Sequence, residues 1–196
     1  MKKLYKISEA KPPKVGNAFR SHSPAATRKL AWLFARELAA RGPRSAHATV
    51  VGLIGDLGSG KTTFIQGFAR GLGIKHNVTS PTFVIFRNYK IPRHEFPPKA
   101  DPPQAEMVNS YQFFCHMDAY RIRKISELAP LGFRKILADP KNILLVEWAE
   151  NIRRALPRNA TLIHFSHGKK SSERKIGMKT KLVDTTKLRR LTLRAF

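Results

Sequence analysis

Apolar positions recur along the chain at two spacings, and the alternation between them predicts helices and strands in turn. Ser23-Pro24 has the form of a helix N-cap followed by proline at the first helical position. Leu30, Leu33, Phe34 and Leu38 then form one apolar stripe, which Gly42-Pro43 ends. Ala48 to Ile54 is an apolar, β-branched run of strand length. From Thr62 to Leu72 the residues Phe64, Ile65, Phe68 and Leu72 return to helical spacing, and Gly71 and Gly73 supply the stop. Val78 to Phe86 opens as a hydroxyl-rich turn, Thr79-Ser80-Pro81-Thr82, and closes with strand character. Tyr111 to Met117 predicts a further strand, and Ser126 to Leu137 an imperfect helix interrupted at Gly132. Asn142 to Val146 is a short apolar run, the mark of a strand covered on both faces. Ala149 to Leu156 predicts a brief helix stopped by Pro157, and Ala160 to Phe165 and Lys175 to Val183 two more strands.

Strands alternating with helices predict an α/β fold, a central and mostly parallel sheet with helices on both faces. Residues 21–176 carry this pattern. Residues 1–20, with Lys-Pro-Pro-Lys and no periodicity, predict a mobile basic extension. Residues 91–110 hold five prolines and predict an exposed loop insertion. Residues 177–196 predict a basic strand and tail, with a short helix possible after Asp184.

Composition narrows the setting. There is no apolar stretch long enough to cross a bilayer, and the amino terminus lacks the apolar segment and cleavage site of a secretory signal, which predicts a cytoplasmic protein without membrane contact. The single cysteine, Cys115, excludes an intramolecular disulfide framework, and its apolar neighbours Phe113 and Phe114 predict a buried structural thiol. The histidines show no paired metal spacing. Lys and Arg number 37 against 13 Asp and Glu, a formal charge of +24. Such a field attracts polyanions in a salt-dependent way, and direct RNA contact through the basic termini is one reading of it. A solvated basic surface is the other.

Candidate chemistry centres on Gly55-Asp56-Leu57-Gly58-Ser59-Gly60-Lys61-Thr62, a complete G-x-x-x-x-G-K-[ST] phosphate loop between a predicted strand and a predicted helix. Its glycines let backbone N–H groups converge on a polyphosphate, and the following helix adds its positive end. Lys61 is expected at the β/γ-phosphates and the Thr62 hydroxyl on Mg2+, with Thr63 following. Magnesium also needs carboxylates, and in open α/β sheets ligand groups gather at the carboxyl ends of strands. Asp118 and Glu147 stand at two such ends. Glu147 is assigned to the metal, while Asp118 either shares it or orients the attacking water. Helix N-capping is the structural alternative for both acids. Thr79, Ser80 and Thr82 have the short hydroxyls of a switch segment that senses a γ-phosphate, or of an ordinary Ser-Pro turn. Trp148 packs either near the nucleotide or in the core. A small-molecule kinase and an RNA-binding protein stabilised by nucleotide remain competing functions for this loop.

Five ordered strings, Gly55-Asp-Leu-Gly-Ser-Gly-Lys-Thr-Thr63, Val78-Thr-Ser-Pro-Thr-Phe83, His116-Met-Asp-Ala-Tyr-Arg121, Leu131-Gly-Phe133 and Val146-Glu-Trp148, resemble the TsaE (YjeE) family over roughly residues 23–176. The resemblance implies a P-loop NTPase-like three-layer sandwich and an ATPase using ATP and Mg2+. It implies work with TsaD and TsaB in threonylcarbamoyladenosine modification of tRNA, without being the transferase. It also implies nucleotide contacts for Thr27, near the start of the first helix, and for Arg174. Ala119 stands where leucine is usual and Asn151 where arginine is common, and the 91–110 segment is longer than usual.

Overall fold

The computed structural model describes residues 18–81, 85–92 and 111–193. Strands β1 (Ala18–Ser21), β2 (Thr49–Ile54), β3 (Phe86–Lys90), β4 (Phe113–Asp118), β5 (Asn142–Glu147), β6 (Thr161–His167) and β7 (Arg174–Lys179) form one sheet in the order β1-β7-β6-β2-β5-β4-β3. The four central strands β6, β2, β5 and β4 are parallel, whereas β1, β7 and β3 join antiparallel at the edges. The helices are α1 (Pro24–Arg41), α2 (Lys61–Gly71), α3 (Phe133–Ala138) and α4 (Thr185–Leu193). The architecture is the expected α/β class, with helices on both faces of the sheet.

Side-chain alternation along the buried strands builds two cores. In β5, Ile143 and Leu145 face the layer of α1, α2 and α4, while Leu144 and Val146 face α3 and the 3-10 turns. No strand residue of β5 is exposed, which explains why its sequence reads as an unbroken apolar run. On the first face Phe68 joins the two helices to the sheet, its ring centroid 6.0 Å from Phe34 and 5.6 Å from Phe114. Helices α1 and α2 approach backbone to backbone. A Cβ added at Gly67 would collide with the Arg28 carbonyl oxygen, and one at Gly71 would lie 2.6 Å from that of Trp32. Ser23 caps α1, its Oγ accepting from the Ala26 N–H at 3.1 Å as the Ser-Pro signal predicts.

Several boundaries differ from expectation. Residues 18–20, within the expected mobile extension, belong to β1, an edge strand too short for a periodic pattern to show; only Phe19 and Ser21 are buried there. Residues 1–17 lie outside the described residues, as do 82–84 and residues 93–110 of the expected insertion. The expected helix over Ser126–Leu137 is split into a 3-10 turn (Ile125–Leu128) and α3, because Gly132 at φ +67° turns the chain before α3 starts. Ala149–Leu156 yields only a 3-10 turn over Ala149–Ile152. The strand character expected just before Phe86 falls largely on 82–84, outside the described residues; β3 runs on from Phe86 and is mostly polar because an edge strand has one wet side. Cys115 is buried, and burial pushes its thiol up to about 12.

Candidate functional site

The phosphate loop leaves β2 and enters α2 at the carboxyl edge of the parallel strands. Gly55, Gly58 and Gly60 have φ of +142°, +71° and +99°, a path that other residues follow only under strain. At Gly55 the reason is also space, since a Cβ there would collide with the Phe165 carbonyl oxygen. Asp56, Leu57 and Gly58 form the exposed tip. Ser59 is buried, and its Oγ has no hydrogen-bond partner among the described residues. The first N–H groups of α2 have no partner within the helix and open toward the loop. Thr63 follows, half-buried in the first turn.

Lys61 is 5% exposed, and its Nζ donates to the carbonyls of Gly55 at 2.7 Å and Asp56 at 2.9 Å. Burial lowers its pKa, and Glu147, Glu150, Asp118 and Asp56 act in the opposite direction. Trp148 covers the ammonium, with the ring centroid 3.9 Å from Nζ, a cation–π arrangement. Trp148 reaches that position from a left-handed backbone, φ +57°, at a cost of roughly 1 kcal/mol or more for a residue with a side chain. Trp148 also packs, partly buried, against the second core cluster.

The two carboxylates meet because β4 and β5 are in register, with Asp118 paired to Glu147 at the strand ends. Glu147 is 3% exposed; its Oε2 accepts from the Thr62 hydroxyl at 2.9 Å and its Oε1 lies 3.0 Å from His116 Nε2. Asp118 does two things. Its Oδ1 accepts from the Tyr120 N–H at 2.9 Å, closing a turn with no helix behind it, and its Oδ2 accepts from Ser80 Oγ at 2.7 Å. The Thr79 hydroxyl accepts from Arg87 at 3.1 Å, and Thr82 lies outside the described residues.

Of the two outlying assignments, Arg174 reaches the loop and Thr27 does not. Arg174 Nη2 donates to the Gly58 carbonyl at 3.0 Å, and its side chain runs beside Gly60. Thr27 is buried, its hydroxyl 2.7 Å from Ser21 Oγ and 3.4 Å from the Ser23 carbonyl, and none of its hydrogen bonds goes to the phosphate loop. It serves the junction of β1 and α1. The two departures from the family pattern also meet, Asn151 Nδ2 donating to the Ala119 carbonyl at 3.0 Å.

Two residues of the site were not assigned from sequence. His116 is fully buried beside Glu147, with Nδ1 unpartnered among the described residues. Glu150 lies largely buried against the start of the loop, where it accepts from the Gly55 N–H and faces Lys61, with Oε2 unpartnered. A polar strand position and an acid in an expected helix gave no signal of either contact. Burial raises the Glu150 pKa, and its backbone hydrogen bonds and Lys61 only partly offset this. The folded chain therefore holds that proton more tightly than the unfolded chain, so stability falls as pH rises through the carboxylate range. Glu150→Gln is expected to match wild type below about pH 4 and to exceed it in urea midpoint at about pH 7. A wild-type advantage at neutral pH that vanishes in acid would reverse the sign.

Comparison with known proteins places this arrangement. The sequence pattern of "Threonylcarbamoyl adenosine biosynthesis protein TsaE" matches residues 21–176. The chain is 38% identical over 109 residues to the "tRNA threonylcarbamoyladenosine biosynthesis protein TsaE" of Bacillus subtilis, covering 56% of each chain. It is 31% identical over 120 residues to the Haemophilus influenzae protein of the same name, covering 61% of this chain and 64% of that one. It thus spans about three fifths of the length of these relatives. Its fold resembles the crystal structure of Bacillus subtilis YdiB with a TM-score of 0.58 at 28% identity, covering 91% of this chain and 94% of that one. With a matched region running from β1 to β7 and containing every group described above, the chain belongs to the TsaE family.

Proposed function

We propose that the chain binds ATP and Mg2+ on the Gly55–Thr62 loop and hydrolyses the nucleotide. It would act as the ATPase component that works with TsaD and TsaB in threonylcarbamoyladenosine modification of tRNA, without being the threonylcarbamoyl transferase. The observation that carries this reading is the Thr62–Glu147 contact of 2.9 Å at the N-terminus of α2, with Lys61 and Asp118 beside it. Hydroxyl and carboxylate oxygens are the hard donors magnesium prefers. Among the described residues no three His, Cys, Asp or Glu side chains form a metal cage, so the ion would take its other ligands from phosphate and water. Thr62 and Glu147 would hold it, and it would supply neutralisation of charge on the phosphates.

The chain's own groups divide the remaining work. The loop N–H groups and the Ser59 hydroxyl suit phosphate oxygens, and Lys61, in a water-poor setting under Trp148, suits the charge developing between the β- and γ-phosphates. Asp118, joined to Ser80, is positioned to orient the attacking water, and Thr79, Ser80 and Thr82 to respond to the γ-phosphate. Arg174 would steady the outer wall of the loop. In this reading the ATPase domain extends past the expected 21–176 to take in all of β1, β7 and α4, in a cytoplasmic protein. No helix among the described residues is long and apolar enough to cross a membrane.

The test is reconstitution. With purified TsaD, TsaB, tRNA and ATP, addition of the chain should permit repeated rounds of modification, and its association with the two partners should depend on Mg-nucleotide. Failure to associate in every nucleotide state, with modification proceeding equally without the chain, removes the assignment.

A further inference from the structure

We infer that a second anion site, separate from the phosphate loop, takes the phosphate backbone of an RNA. A cavity of about 230 Å3 lies between the start of α1, the outer face of α2 and the segment following it. Its polar lining is Arg28, Gln66, Arg70, His76 and Asn77, with no carboxylate among them. None of these five side chains makes a hydrogen bond or ion pair with another described residue. Five donor-bearing groups therefore converge on one concavity with their hydrogen-bonding capacity unspent.

Size argues for a piece of a larger molecule. The volume falls short of the roughly 300–1,000 Å3 of sites that engulf a small ligand, which suits a phosphodiester better than a whole nucleotide. The surface beside it supports a polymer. One turn along α1 from Arg28, the Trp32 ring has Lys29 Nζ at 4.7 Å and Arg36 at 5.5 Å from its centroid, so a half-buried aromatic flanked by two cations extends the basic surface. The described part of the basic carboxyl-terminal region is less available: Lys187 pairs with Glu37 at 2.8 Å, and Arg189 donates to the Ala18 carbonyl and lies over Phe19. Much of a +24 charge is diffuse, but at this cavity Arg28, Arg70 and His76 are gathered with no carboxylate in the lining.

The choice of RNA as the source of the phosphate rests on the tRNA-pathway reading above; the anion site itself does not. Binding of a tRNA transcript by the full chain is measured by fluorescence anisotropy across a salt series without nucleotide, for wild type, Arg28→Ala/Arg70→Ala and the exposed control pair Arg153→Ala/Arg158→Ala. The pocket pair should lose about tenfold in affinity and about 1–2 in the log–log salt slope, and the control pair much less. Thermal midpoints and Mg-ATP uptake are read on the same samples, so loss of ATP binding by wild type would sink the ATPase reading while leaving this one standing. An unchanged slope in a folded pocket variant, or an equal loss in the control pair, overturns the proposal. So does loss of inorganic phosphate binding, followed by equilibrium dialysis, with tRNA binding intact, which would assign the pocket to a free anion.

Discussion

Lys61→Ala is expected to lower the rate of Mg-ATP hydrolysis by about 100- to 1,000-fold, the range seen when one preorganised donor to a developing oxyanion is removed. The physical ground is the setting of the ammonium. It is 5% exposed, lies under the Trp148 ring and is surrounded by Glu147, Glu150, Asp118 and Asp56, so its charge is screened far less than a surface lysine's. Lys61→Arg should fail to restore the rate, because a planar fork does not fill the place of a compact ammonium that bonds two adjacent carbonyls. Single-turnover hydrolysis with circular dichroism as the fold check decides the matter. A folded Ala variant that keeps its rate within about threefold would show that Lys61 does not serve the reaction.

The second large effect concerns packing. Gly→Ala inside a helix ordinarily stabilises by roughly 0.5–1 kcal/mol. Gly67→Ala should do the opposite, because the added methyl would occupy the place of the Arg28 carbonyl and neither backbone can yield without separating α1 from α2. A loss of about 3 kcal/mol is expected from such overpacking, which for a chain of this size lowers the melting temperature by about 6–12 °C. Gly177→Ala, where an added Cβ meets nothing within 4 Å, supplies the comparison and should change little. Equal midpoints for the two variants would mean that the helices part easily.

What the sequence made legible follows a physical rule. Groups whose roles depend on local geometry could be read directly: the phosphate loop needs only its own glycines, lysine and threonine, and β5 announces its burial by being apolar on both faces. That Glu147 and Asp118 sit together was legible because each closes a strand the pattern predicts, and the register of those strands makes them neighbours. The residues that escaped depend on distant partners. His116 lies beside Glu147 only because β4 and β5 pair, and Glu150 meets the Gly55 N–H because Trp148 turns the chain through a left-handed conformation that its identity does not require. Thr27 also has a local role that the pattern did not show. Its place in the family order pointed to the nucleotide, while the short strand β1, invisible as a pattern, supplies Ser21 to take up its hydroxyl.

The pairing of Lys61 with its own loop carbonyls, of Thr62 with Glu147 and of Ser80 with Asp118 has a thermodynamic consequence. An incoming ligand does not meet idle groups; it must compete with contacts already formed, and only the difference appears as affinity. Whatever loosens those internal contacts beforehand raises the share of receptive molecules and tightens uptake in proportion. A neighbouring protein could thus set the occupancy of this cradle without touching it, by pulling on the Thr79–Ser80 segment alone.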